Sequence, residues 1–153
     1  MLPYPGLRVI VRSTHVDALG HLNNARYLEF MEWARFDWSA HHGMAVPAMV
    51  AEGTAPVVVK AELHFRRECR LDEALLVTVR PVGARRAIGR LEQDVIGPDG
   101  ELRCRGLLAF VVIDVDTRRI VPLPSAFLAL VAERAREDGS DEGRDEDADP
   151  ADG

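Results

Sequence analysis

The chain predicts an α+β fold, one long helix lying against an antiparallel sheet. Two observations predict it. Only one long stretch, residues 25–42, has helical periodicity with no internal breaker, and it stops at Gly43. From Pro56 onward the pattern switches to period two, in strands whose short connections favour antiparallel pairing.

The elements follow in order. Residues 7–13 (LRVIVRS) form a short β-type run, and a turn region follows from Thr14 to His21. Asn23 or Asn24 is placed to cap the helix, since a carboxamide there accepts from its free N–H groups. Tyr27, Leu28, Phe30, Met31, Ala34 and Trp38 share one face of the helix, whereas Trp33 and Phe36 fall among its polar residues. Such a helix is covered by a sheet on one side and by something else on the other. A loop containing Pro47 and Gly53 leads to strands predicted at 56–67, 74–82, 86–96 and 101–115. Gly97-Pro98-Asp99-Gly100 is a hairpin turn signal, and the last strand ends in a continuous apolar run, 107–113. Pro122 and Pro124 end the sheet region, and Ser125 caps a short helix over 126–136. A sheet covered on one face by its helix leaves an edge strand open, so at least a homodimer is expected, either dimer or tetramer.

With 153 residues, 47% hydrophobic and 29% charged, the sequence reads as one soluble globular domain over 1–136. No signal peptide and no membrane-length apolar run is evident, which makes a cytoplasmic protein the expectation. Cys69 and Cys104 read as two reduced strand residues, neither a disulfide framework nor a metal site. The net charge of −6 misleads: residues 137–153 alone carry −8, leaving +2 for the rest. That acidic tail, rich in Gly, Asp and Glu, reads as disordered. No dense basic patch suggests nucleic acid.

The chemistry concentrates in Val16-Asp17-Ala18-Leu19-Gly20-His21-Leu22-Asn23-Asn24-Ala25-Arg26-Tyr27. A carboxylate, a glycine turn, an imidazole and two carboxamides directly precede the apolar helix. A helix start offers unpaired N–H groups able to hold an oxyanion. A base beside an oxyanion site is the minimum apparatus for acyl transfer or hydrolysis. No Gly-x-Ser-x-Gly elbow is present, which argues against a serine hydrolase.

The spacing Asp-x-x-Gly-His-x-Asn-Asn-x-x-Tyr, followed by Glu32-x-x-Arg35, resembles the signature of the 4-hydroxybenzoyl-CoA thioesterase family. The resemblance covers roughly residues 7–135, including the 57–67 strand, the Leu71-Asp72-Glu73 turn, the Gly97–Gly100 hairpin and the Phe110–Asp114 run. It implies the hotdog fold, a curved antiparallel sheet of about five strands wrapped round a long central helix. It also implies hydrolysis of an acyl-CoA to free acid and CoA, at a pocket between subunits. Asp17 matches the catalytic carboxylate, acting as nucleophile or as general base. Asn24 matches the helix-start position whose backbone N–H polarises the thioester carbonyl. His21 and Asn23 line or brace the turn, and for His21 a purely structural hydrogen bond is an equal reading.

Coenzyme A enters as part of the substrate, and neither cofactor nor metal is expected. Its phosphates call for a basic rim, for which Arg85, Arg86 and Arg90 are the first candidates and Arg66, Arg67 and Arg70 the second. Trp33, Phe36, Met44 and Met49 are candidate acyl-pocket walls, with subunit packing the competing role for Trp33 and Phe36; His64 reads as a surface residue. Two other functions remain open at this point: a thioesterase acting on acyl carrier protein, and a non-catalytic acyl-CoA-binding module.

Overall fold

The computed structural model describes residues 2–142. Strand β1 (Leu7–Ile10) leads through a 3-10 turn (Ser13–His15) and the motif loop into helix α1 (Asn24–His41). Helix α2 (Val46–Ala51) precedes strands β2 (Thr54–Phe65), β3 (Ala74–Val77), β4 (Arg80–Arg85), β5 (Ile88–Ile96), β6 (Leu102–Asp114) and β7 (Ile120–Val121). Helix α3 (Ser125–Glu142) follows. The strands form one antiparallel sheet in the order β1-β3-β5-β6-β2, with β4 also on β5 and β7 also on β6. This is the curled sheet and long helix of the hotdog fold.

Helix α1 buries Tyr27, Phe30, Met31, Ala34 and Trp38 against the concave face. Each large side chain so removed from water contributes about 1.5–3 kcal/mol. Leu28, expected on that face, is 40% exposed, as are Trp33 (40%) and Phe36 (47%), so the far side of α1 carries an apolar surface. The helix approaches β6 closely: a Cβ at Gly106 would stand 2.7 Å from the Met31 sulfur. Along β6, Cys104, Leu108 and Phe110 therefore face the helix with Gly106, while Arg105, Leu107 and Ala109 face the convex side.

Several boundaries differ from the sequence reading, each for a local reason. The first strand ends at Ile10, because the Arg12 N–H donates to His15 Nδ1 (2.9 Å) and the His15 N–H to the Arg12 carbonyl (2.9 Å), curling the chain. The predicted loop after α1 contains α2, with a proline in its first turn and Gly53 at φ +97° beyond its end. The predicted strand 74–82 is two strands, interrupted where the Thr78 hydroxyl accepts the Asp94 N–H (3.1 Å), with a further register shift between Pro81 and Gly83. Arg86 lies in the β4–β5 turn at φ +56°, not in the strand. The last helix continues from Arg136 to Glu142, supported by an Arg134–Asp138 pair (3.1 Å) one turn apart. Most of the predicted acidic tail, 143–153, lies outside the described residues.

Candidate active site

The motif folds as a tight loop fixed to the start of α1. The Asp17 N–H donates to the His21 carbonyl (2.9 Å) and the Gly20 N–H to the Asp17 carbonyl (3.0 Å). Gly20 sits at φ +76°, a region costly for a side chain bearing Cβ. Asp17 Oδ1 accepts the Leu19 N–H (2.9 Å) and the His21 N–H (3.3 Å). One carboxylate oxygen is thus committed to the turn. Oδ2 has no hydrogen-bond partner among the described residues, and the side chain is exposed.

Asn23 is the helix cap, its side-chain oxygen accepting the Ala25 N–H (3.0 Å). Its own N–H donates to the His15 carbonyl (2.9 Å), which ties the cap to the 3-10 turn. Asn24 opens the helix. Its N–H is one of the donors that a helix start leaves unpaired, and no acceptor in the described chain takes it. The sequence left the cap open between Asn23 and Asn24; it falls to Asn23, and the loop, cap and first helical amide are contiguous.

His21 is more than a turn residue. Its Nε2 lies 3.0 Å from Glu68 Oε2, and its backbone bridges to Arg70. The Leu22 N–H donates to the Cys69 carbonyl (2.8 Å), so the 68–70 segment braces the motif loop. Arg70 bonds Glu68 (2.6 Å), and this hydrogen bond, followed by the charges of His21, Arg70 and Arg67, holds the Glu68 carboxyl below its ordinary value. Glu68 was not singled out in the sequence, where nothing local connects it to His21. Beneath the loop, burial and a hydrogen bond to Cys69 push the Tyr27 phenol above its ordinary value, while its ring packs edge-on to Phe65 at 5.2 Å.

The two basic clusters are separated. Arg66, Arg67 and Arg70 line an open groove of about 680 Å³ beside the loop, together with Glu68, Glu73 and Arg103. Arg67 is paired with Glu101, Arg70 with Glu68, and Arg103 with Glu73 (3.1 Å). Arg85 and Arg86 stand at the exposed tip of the β4–β5 hairpin. Arg90 lies opposite Ala109, five residues along β6 from Cys104, or roughly 16 Å by strand rise. Within one chain these three arginines lie towards the other end of the sheet from the segment that braces the Asp17 loop.

A cavity of about 220 Å³ opens along α1, with Glu32 and Arg35 beside apolar walls that include Phe36, Trp38, Val58 and Phe110. A smaller one of about 30 Å³ shares Trp38 and Phe110 and adds Met44 and Met49. Trp33 lines neither, packing instead near His15 and Phe30. Glu32 is eight residues into α1, roughly 12 Å from the Asn24 amide. Arg35 donates to the fully buried Gln93 (2.9 Å), whose amide donates in turn to the Met31 carbonyl (2.9 Å), and burial lowers the Arg35 pKa. Among the described residues no three His, Cys, Asp or Glu side chains converge on a metal site, and no helix is long and apolar enough to cross a membrane.

Residues 11–131 match the thioesterase-like superfamily. The chain belongs to that superfamily. It is 34% identical to the long-chain acyl-CoA thioesterase FadM of Escherichia coli K12 over 117 residues, covering 76% of this chain and 88% of FadM. The acyl-CoA thioester hydrolase YbgC of Escherichia coli is 27% identical over 123 residues, covering 80% and 90%. Among solved structures, a Thermus thermophilus thioesterase complexed with coenzyme A and Zn is 34% identical, with a TM-score of 0.68 and coverage of 82% and 94%. A Staphylococcus aureus DHNA-CoA thioesterase superposes with a TM-score of 0.76 at 19% identity over 90% of this chain and 93% of its own, a likeness of fold. The protein is an enzyme of the thioesterase class.

Proposed function

We propose that this chain hydrolyses an acyl-CoA thioester to a free acid and CoA, with Asp17 as the reacting carboxylate. The observation that carries this reading is the motif loop: Asp17 has one oxygen tied into the turn and the other free, while the first amide of α1 has no acceptor. The thioester carbonyl oxygen accepts from the Asn24 N–H, which stabilises the developing oxyanion; one such donor is typically worth about 3–4 kcal/mol. Asp17 Oδ2 then either takes a proton from water, whose oxygen attacks the carbonyl carbon, or attacks that carbon itself to form an anhydride that water opens. In both routes the carbon–sulfur bond breaks and the thiolate leaves as CoA. His21, held by Glu68, and Asn23, as helix cap, support the loop. The likeness of the motif to the 4-hydroxybenzoyl-CoA thioesterases and the FadM and YbgC relationships support the same chemistry.

The acyl group extends along α1 from Asn24 towards the Phe36–Trp38 cavity. The length of that path and the FadM relationship favour a long chain. Strand β2 is a sheet edge, with Val57, Val58 and Val59 exposed, and pairing with β2 of a second copy completes a homodimer. Arg85, Arg86 and Arg90 are the groups we assign to the CoA phosphates, supplied across that interface. The free thiols Cys69 and Cys104 support a cytoplasmic enzyme.

Free-thiol release from acyl-CoAs of increasing length, from an aromatic acyl-CoA and from acyl carrier protein thioesters tests the reading. The expected result is turnover of CoA esters with kcat/KM at least tenfold above that for carrier-protein esters. Binding of acyl-CoAs without thiol release would make the chain a binding module, and preference for carrier protein would move the substrate class.

A further inference from the structure

The cavity of about 220 Å³ at the far end of the acyl path is walled by Val58, Leu91 and Phe110, and a saturated chain would need nothing else. Yet Glu32, Arg35 and Ser39 also line it, spaced so that they stack along one side of α1. Arg35 is fixed from beneath. Its Nη1 donates to Gln93 Oε1 (2.9 Å), and Gln93, fully buried on β5, donates in turn to the Met31 (2.9 Å) and Thr78 (3.4 Å) carbonyls. Among the described residues this is the one side-chain hydrogen bond Arg35 makes, which leaves the other N–H groups of its guanidinium unpaired. Arg80 and Arg103 each bury an unpaired Nε, whereas Arg35 buries no unpaired nitrogen, so its spare donors face open space. Glu32 stands one turn earlier. It acts on Arg35 through charge, and among the described residues its carboxylate oxygens take no hydrogen bond.

One side of the helix thus sets fixed donors beside free acceptors in an apolar cavity. A few polar groups converging on apolar walls orient a ligand that carries the matching group. A plain hydrocarbon end would strip water from the guanidinium and the carboxylate and return no hydrogen bond. A carboxylate would pair with Arg35 and be repelled by Glu32. A keto oxygen only accepts, and leaves Glu32 unmatched. A hydroxyl answers both: its oxygen accepts from Arg35 and its hydrogen is donated to Glu32. The position of that hydroxyl follows from the helix. Glu32 and Arg35 lie eight and eleven residues beyond Asn24, roughly 12 and 16 Å along the axis. A substituent on a benzoyl ring, or on the carbons next to the thioester, falls short of them. The far end of a long chain reaches them.

Resting on the hydrolase reading of the Asp17 loop and its acyl path, we propose that the substrate is a long-chain acyl-CoA bearing a hydroxyl near its far end, held between Arg35 and Glu32. The two side chains select the acyl group and take no part in breaking the thioester.

Free-thiol release by the full chain is compared for hexadecanoyl-CoA, its ω-hydroxy and β-hydroxy derivatives and hexadecanedioyl-CoA, each below its micelle concentration. A site built to hydrogen-bond a hydroxyl discriminates against the analogue lacking it, so the wild type should favour the ω-hydroxy ester over hexadecanoyl-CoA at least tenfold in kcat/KM. Equal kcat/KM for those two esters overturns the proposal, as does a larger gain for the β-hydroxy or the dicarboxylic ester. Glu32→Ala, at an exposed position, should bring the ω-hydroxy preference to within about twofold of none. Arg35→Met keeps an aliphatic stem and should do the same, with circular dichroism to verify folding. If Arg35→Met does not fold, Glu32→Ala decides; a preference unmoved by Glu32→Ala overturns the proposal. Calorimetric binding of the same esters to Asp17→Asn is read in parallel. Tighter binding of the ω-hydroxy ester with no thiol release by the wild type would refute the hydrolase reading and leave this site standing. Thiol release without hydroxyl preference would do the reverse.

Discussion

Asp17 and Asn24 occupy the same turn-and-helix unit, and the proposed chemistry uses the side chain of one and the backbone amide of the other, so substitutions separate them. Asn24→Ala keeps the backbone amide and should leave kcat within about threefold of wild type, since the proposed chemistry uses only the amide. Asn24→Pro deletes the amide. Proline is tolerated at the first helical position, and the preceding Asn23, at φ −61° and ψ 138°, already has the extended backbone that proline requires. The helix should therefore form while kcat falls roughly 10²–10³-fold; wild-type kcat in a folded Asn24→Pro variant would remove the oxyanion role. Asn23→Ala should cost about 1 kcal/mol of stability, read by urea unfolding, through loss of the cap. The place of the loop and of the helix start was legible in the sequence because they are consecutive residues, while the cap, left open between Asn23 and Asn24, falls to Asn23. The Glu68 partner of His21 was not, because it comes from the β2–β3 connection and meets the loop only after the sheet has formed.

Helix α1 and the strands were legible because each repeats a periodicity over many residues. Helix α2 was not, being one short stretch in which Pro47 and the nearby Gly53 read as loop; proline in a first turn starts a helix rather than breaking it. The β3–β4 break was hidden for another reason: the Thr78 hydroxyl that interrupts the strand bonds Asp94, which lies on β5. Two measurements probe how the elements pack. A Cβ at Gly89 would collide with the Phe110 ring and stand 2.9 Å from Phe127, so Gly89→Ala should destabilise by about 1–3 kcal/mol in urea unfolding. Burial pushes the Cys104 thiol from 9.0 up to about 12. The unfolded chain ionises it at lower pH than the folded chain, so its contribution to stability is complete below about pH 9 and is lost as pH rises towards 12. Cys104→Ala should make the fall of stability with pH in that window shallower, by at most about 1.4 kcal/mol per pH unit. An unchanged slope would show that the thiol titrates alike in both states.

At the scale of the molecule, the sheet order leaves β2 as the edge at which the proposed homodimer forms. An open edge strand was readable in the sequence, so association was expected. If folding and assembly are linked, the melting temperature should rise with protein concentration across roughly a hundredfold range, and a constant value would mark a self-sufficient monomer. Association and catalysis meet in the Asp17 loop only if that loop performs the hydrolysis. The most direct measurement is kcat/KM of Asp17→Asn on the best acyl-CoA, by free-thiol release. The asparagine oxygen can still accept the Leu19 and His21 amides, so the turn survives while the carboxylate chemistry is removed. The expected result is a loss of roughly 10²–10⁴-fold with unchanged circular dichroism; wild-type kcat/KM in this variant would contradict the assignment of Asp17 as the reacting group.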